Sequence, residues 1–127
     1  MYSYKGRLMT LNVNKGSINN IKFDNEIIQD IIDTQPIVPV TINFSGSGIG
    51  ATRKFERVVD DLVCTFDINI PNMDRLELFL VPMGMVKLND IGQDEGNGVR
   101  TIKRMSLLEV SITSTPLDPS LTKIEKE

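Results

Sequence analysis

Residues 107–121, Leu-Leu-Glu-Val-Ser-Ile-Thr-Ser-Thr-Pro-Leu-Asp-Pro-Ser-Leu, constrain the fold of this chain more than any other stretch. Leu108, Val110 and Ile112 alternate with Glu109, Ser111 and Thr113, which predicts a strand with one apolar face and one face carrying a carboxylate and two hydroxyls. Pro116 and Pro119 end it. A proline cannot donate to a ladder and disfavours regular geometry in the residue before it, so residues 115–119 are expected to leave the sheet as a fixed extended segment.

The rest of the chain reads as more strands around a single helix. Residues 1–13 form a first strand with Met9, Leu11 and Val13 on one face, and residues 14–17, Asn-Lys-Gly-Ser, turn it. Residues 18–23 are a short extended piece. Asp24 is a helix N-cap, Glu26 sits in the first turn, and Ile27, Ile28, Ile31 and Ile32 recur at helical spacing, which predicts a helix over residues 25–33 closed by Pro36. Residues 37–44 carry Val38, Val40, Ile42 and Phe44 on one face of a strand. A Ser-Gly-Ser-Gly turn at 45–48 leads to a more polar strand over 49–59, and Asp60-Asp61 turns the chain again. From 62 to 70 the alternation is clean, with Leu62, Cys64, Phe66, Ile68 and Ile70 against Val63, Thr65, Asp67 and Asn69, as for a hairpin partner facing the core. Residues 71–74 break that strand, with room for one helical turn. Residues 76–88 are extended but carry Pro82 and Gly84, which call for a bulge or a sheet edge. Residues 89–98 form a polar exposed loop, and residues 99–113 the last long strand. About seven strands and one helix predict a mainly β fold, a small closed or nearly closed β-barrel with one flanking helix. The domain spans residues 1–116, and residues 117–127 form a charged tail.

Composition narrows the chemistry. A chain of 127 residues supports one core and not two. A net charge of −3 supplies no basic stripe for phosphates, so no nucleic-acid partner is expected. No run approaches the roughly 20 apolar residues of a membrane span, and the N-terminus lacks a signal-peptide pattern, so no membrane partner is expected and the product reads as soluble and intracellular or as part of a particle. The single cysteine, Cys64, excludes an intrachain disulfide and a cysteine metal cluster. The chain has no histidine, which removes the usual general base and the commonest transition-metal ligand together.

The run Leu-Glu-Val-Ser-Ile-Thr at 108–113, followed by Pro-Leu-Asp-Pro at 116–119, resembles the C-terminal signature of the tailed-phage prohead protease family, the assemblin-like capsid maturation proteases. That family has a strand of the form Leu-x-Glu-Val-Ser-Leu-Val followed by Pro-Ala-Asn-Pro. The resemblance continues upstream in order and spacing. The family begins with a strand, then a helix rich in isoleucine or phenylalanine, then a strand of the form Val-Pro-Val-Leu-x-x-His-Asp, a short turn and Ile-Gly. Here the helix is followed by Ile37-Val38-Pro39-Val40-Thr41-Ile42-Asn43-Phe44-Ser45 and, after the turn, Ile49-Gly50. The family's catalytic histidine falls on Phe44. Its nucleophile strand, Met-Ser-x-Gly-Phe, is similar to Val81-Pro82-Met83-Gly84-Met85, and the serine falls on Pro82. Glu109 keeps the third catalytic position of at least some members. The segment between Ile70 and Leu76 is shorter than the family's, which carries a helix there.

Phenylalanine has no proton acceptor and proline no hydroxyl, so the resemblance implies a protease fold without protease chemistry. Ser45, Ser47, Ser106, Ser111 and Thr113 remain as candidate nucleophiles. With no histidine they would need a desolvated lysine, and Lys54, Lys87 and Lys103 all lie in polar surroundings. The implied function is that of a pseudoenzyme: an auxiliary or decoration protein of the phage virion. It would bind the major capsid protein lattice, form a homo-oligomer at a capsid symmetry axis, reside in the capsid, and pass through the host cytoplasm during assembly. The alternatives are an active maturation protease with an unusual nucleophile, and an unrelated β-barrel interaction domain.

Three partner surfaces are expected: the 89–98 loop with Asp90, Asp94, Glu95 and Asn97, the N-terminal strand edge with Tyr2, Tyr4 and Arg7, and the C-terminal tail. The remaining motifs read blandly. The glycines at 46–50 suit a hairpin turn better than a phosphate loop, because no helix follows. Asp90, Asp94 and Glu95 lack EF-hand spacing. Met83 and Met85 are gap-fillers, and Arg53, Lys54, Glu56 and Arg57 make a solvated face. No cofactor and no metal is expected.

Overall fold

A computed structural model describes residues 1–11, 14–15, 20–92, 98–115 and 122–127. The elements in chain order are β1 (Tyr2–Thr10), β2 (Asn14–Lys15), β3 (Asn20–Phe23), α1 (Asn25–Thr34), β4 (Pro39–Ile42), β5 (Gly50–Val58) and β6 (Asp61–Ile68). After a 3-10 turn at Met73–Arg75 come β7 (Phe79–Met85), a second such turn at Leu88–Asp90, β8 (Val99–Ile102), β9 (Ser106–Thr113) and β10 (Glu125–Lys126).

The clean alternation of residues 62–68 makes β6 the centre of the fold. Leu62, Cys64, Phe66 and Ile68 are all fully buried, while Val63 and Asp67 point to the other, partly exposed face. β1 and β5 flank it as antiparallel neighbours. The full order of the large sheet is β10-β1-β6-β5-β4-β9-β7, with β4 and β9 parallel. A second sheet has the order β2-β3-β8.

The large sheet curls strongly into a half-barrel and does not close. A barrel needs a ladder between its first and last strands. Here the terminal strands are β10, only two residues long, and β7, and among the described residues no ladder joins them; the residues just before each meet through the Ile124 N–H, which donates to the Leu78 carbonyl at 2.7 Å. The curl is tight at one point. Leu80 lies over Gly6, where an added Cβ would sit 3.1 Å from its Cδ1, so the absent side chain lets β7 approach β1.

The helix closes the open side of the core. Asp24 caps it by accepting from the Glu26 N–H at 2.9 Å, and Ile27, Ile28 and Ile31 are buried. It stops at Gln35, in left-handed geometry, whose N–H donates to the Ile31 carbonyl. The Gln35 amide then pairs with the Phe55 backbone, donating to its carbonyl at 2.7 Å and accepting from its N–H at 2.8 Å. That pairing ties the end of α1 to β5.

Several expectations are corrected. The predicted strand over 99–113 is two strands in different sheets, because Lys103 and Arg104 place adjacent cations on both faces and 103–105 leave the ladder. The Lys103 N–H instead donates to the Asp90 carbonyl at 2.7 Å. The expected bulge in β7 falls between Met83 and Gly84, and its unpaired residue is Leu108 on β9. Leu108 is therefore turned outward and 51% exposed, while Leu107 packs against the core. A second bulge, between Arg7 and Met9, brings Leu8 and Met9 both inside. Met9 faces the core and Leu11, just past the strand end, packs against it, while Val13 is outside the described residues. β4 stops at Ile42, and Phe44 turns away from the core.

Residues 122–127 are tied to the fold, while residues 117–121 of the expected tail lie outside the described residues. Ile124 is fully buried, β10 pairs with β1 at Tyr4 and Lys5, and the Lys123 ammonium donates to the Asp74 carbonyl at 2.8 Å. Glu127 is held by the Ser3 carbonyl, to which its N–H donates at 3.2 Å, and by an ion pair to Arg53. Arg53 also reaches Asp67 at 3.1 Å, and its pKa is raised first by the hydrogen bond to Glu127.

Candidate functional site

β9 lies between β4 and β7, and the register fixes which of their side chains share a face. Ile112 and Val110 face the core with Leu80 and Pro82 opposite them on β7. Glu109, Ser111 and Thr113 face the convex side with Met83, Val81 and Phe79 opposite, and with Thr41 beside Ser111 on β4. Phe44 and Glu109 thus belong to the convex side and Pro82 to the concave side. The three degenerate catalytic positions are not gathered on one face.

The polar groups of the convex face are engaged with one another. The Thr41 hydroxyl donates to the Glu109 carboxylate at 2.6 Å, and Thr41 is fully buried. The Ser111 hydroxyl, also fully buried, accepts from the Phe44 N–H at 2.8 Å. Thr113 accepts from the Thr115 N–H at 3.2 Å. The Phe44 bond has a local cause. Residues 42–45 form a tight turn, closed by the Ser45 N–H to the Ile42 carbonyl at 3.1 Å, with Asn43 at φ 49° and Phe44 at φ 58°. Consecutive left-handed residues suit a type I′ turn, where glycine normally takes the second place. Phe44 is held there by Ser111, with its ring half exposed. On this face, among the described residues, a carboxylate bound to a buried threonine and a serine committed to a turn leave no reachable nucleophile with a base beside it.

A separate cleft of about 630 Å³ opens between α1 and the ends of β7 and β9. One wall is the helix face carrying Glu26, Asp30 and Asp33. The other carries Lys87, Lys103 and Arg104, all exposed, with Met85 and Met105 between the walls. Among the described residues no ion pair crosses from one wall to the other. Ser106 lies in this cleft with Lys87 and Lys103, so the serine and lysine types that an unusual protease would need do meet here. Both lysines are exposed, whereas a general-base lysine requires a dry pocket. Gly84 makes the close approach beside the cleft. A Cβ there would lie 2.7 Å from Met105 Cγ.

The expected partner residues are scattered. Tyr2 is 48% exposed and lines a smaller cleft with Asn72, Arg75 and Lys126. Tyr4 is not available to a partner: it is 2% exposed, its ring packs on Phe66 with centroids 5.9 Å apart, and its hydroxyl donates to the Ile70 carbonyl at 2.7 Å. Nor is that part of β1 a free edge, since β10 covers it. Arg7 pairs with Asp61 at 3.2 Å. Asp90 is half-buried in the bipolar cleft, and Asp94, Glu95 and Asn97 lie outside the described residues. The sequence reading missed the two walls of the cleft because their charges come from segments far apart in the chain, each of which reads alone as a solvated face. It also missed Thr41, whose only signal is its place opposite Ser111.

Cys64 is fully buried on β6, and burial pushes its thiol pKa up, so it offers no reactive thiolate. Among the described residues no three histidine, cysteine or acidic side chains gather to hold a metal ion, and no helix is long and apolar enough to cross a membrane. No protein-family model, no curated protein and no solved structure matches this chain.

Proposed function

We propose that the chain is a non-catalytic structural protein of a tailed-phage virion, an auxiliary or decoration protein that binds the major capsid protein lattice and descends from a prohead-protease fold. The observation that carries this reading is the state of the three degenerate positions. Phe44 and Pro82 bring no chemistry, and Glu109 is tied to buried Thr41. The terminal strand motif that resembles the protease family is used here to hold a turn and a sheet together.

The free edge of β7 supports a lattice contact made by side chains rather than by strand addition. Proline in a sheet sits where its missing N–H would face away from the neighbouring strand. Pro82 at the middle of the edge strand thus removes a donor that an added strand would use. Binding then falls to projecting side chains.

Co-sedimentation of the purified chain with empty shells of the major capsid protein from the same phage tests the proposal. Saturation at a fixed lattice ratio, with the chain at its intact mass, is the expected result. Absence of shell binding, together with shell-protein cleavage that is lost in Ser106→Ala or Lys103→Ala, would replace it with the protease reading, which the shared cleft of Ser106, Lys87 and Lys103 favours.

A further inference from the structure

Among the described residues, five that are not glycine have positive φ: Gln35, Asn43, Phe44, Val59 and Asn72. Four have a local reason. The Gln35 amide pairs with the Phe55 backbone, the two asparagines tolerate the left-handed region, and the Phe44 N–H is held by Ser111. Val59 has a backbone tie, its carbonyl accepting from Arg57 Nε at 3.0 Å, but nothing in that tie uses its side chain. It is β-branched, sits at φ 58° in the two-residue turn between β5 and β6, and is 83% exposed. Glycine, asparagine or aspartate would serve that turn without strain. Val58 beside it is 44% exposed, so the hairpin ends in an apolar knob. Arg57 and Asp60 flank the knob in the chain, one of each charge, and both are exposed. Strain retained to present an apolar side chain to solvent points to a contact made outside the fold.

The bipolar cleft offers what that knob lacks. Its base is apolar, with methionines that adapt to what they pack against. One wall carries Glu26, Asp30 and Asp33, and the other carries Lys87, Lys103 and Arg104 with Asp90 among them. The two features are neighbours, since Arg57 donates to Asn25 Oδ1 at 2.6 Å at the start of the helix whose face forms the acidic wall. We propose that the occupant of the cleft is the Val58-Val59 knob of a second copy of this chain, with Arg57 toward the acidic wall and Asp60 toward the basic wall. Because knob and cleft are adjacent, two copies exchange them reciprocally about a two-fold axis and close the pair. This rests on the structural-virion reading above and adds to it a contact between copies of the chain.

Sedimentation velocity of the full chain over a range of concentrations tests it. The expected result is a reversible dimer, weakened about tenfold or more by Val59→Asp and by either Asp60→Lys or Lys103→Asp alone. The double variant Asp60→Lys/Lys103→Asp regains most of the affinity. Val59→Gly separates contact from folding, for it weakens the dimer while raising the melting temperature. A chain that stays monomeric at all concentrations, or a dimer indifferent to Val59→Asp and Asp60→Lys, would overturn the proposal. Shell binding by a monomer leaves the structural-virion reading standing and ends this one, whereas a knob-dependent dimer that ignores shells does the reverse.

Discussion

β6 and β9 carry the same kind of sequence pattern and do different jobs. In β6 the apolar stripe lies in the core throughout, and the chain is wrapped around it. In β9 the stripe is interrupted at Leu108 by the bulge, and the polar stripe behind it is buried too, with Ser111 and Thr113 covered and bonded. A strand whose second face stays mostly half-exposed, as that of β6 does apart from buried Thr65, needs little beyond apolar alternation. A strand buried on both faces must also satisfy every hydroxyl it hides. Here Ser111 is satisfied by the Phe44 N–H and buried Thr41 by the Glu109 carboxylate.

The contrast can be broken by substitution, beginning with the largest effect. Phe66→Ala on β6 empties the centre of the core and is expected to cost about 3–5 kcal/mol in denaturant unfolding. In the wild-type chain Cys64 should react with a thiol reagent only on unfolding, so the labelling rate reports the same loss independently. A cost under about 1 kcal/mol would remove β6 from the centre of the fold. Ser111→Ala on β9 should cost about 1–3 kcal/mol, less than Phe66→Ala but far more than its single lost oxygen suggests, because the Phe44 N–H is left without its partner. Equal stability of Ser111→Ala and wild type would mean that the turn does not need that bond. Val59→Gly should gain about 1 kcal/mol by releasing the left-handed valine. Leu108→Ser should lie within about 0.5 kcal/mol of wild type, the signature of a bulge residue turned to solvent. A larger loss there would restore Leu108 to the apolar stripe that its spacing suggests.

What could be read in the sequence was whatever a local pattern decides. The β6 alternation, the Asp24 cap with its isoleucine stripe, and the irregularity near Pro82 and Gly84 are local, and each is where the residues put it. The misreadings involve register and distance. Tyr4, Gly6 and Leu8 share one parity on β1 and form its inner face, but the bulge brings Met9 inside as well, and taking Met9 as the start of the stripe turned Tyr4 outward. Ile124 stands alone among charged residues and reads as part of a tail, yet it is fully buried where β10 meets Leu78. Lys103 and Arg104 break the last strand, and only the fold places them across a cleft from Asp30 and Asp33. Val59 carried no signal at all, since a turn was legible at Asp60-Asp61 but the left-handed residue before it was not. The barrel was expected from strand number, which does not specify whether the first and last strands pair.

The most direct test of the structural-virion proposal is the copy number and intact mass of this chain in purified mature particles of the phage that the proposal takes as its source. The account predicts an intact chain at a fixed, lattice-like ratio to the major capsid protein. A chain absent from mature particles, or found only trimmed and only in precursor shells, would contradict it and point to a maturation protease acting through the Ser106 cleft.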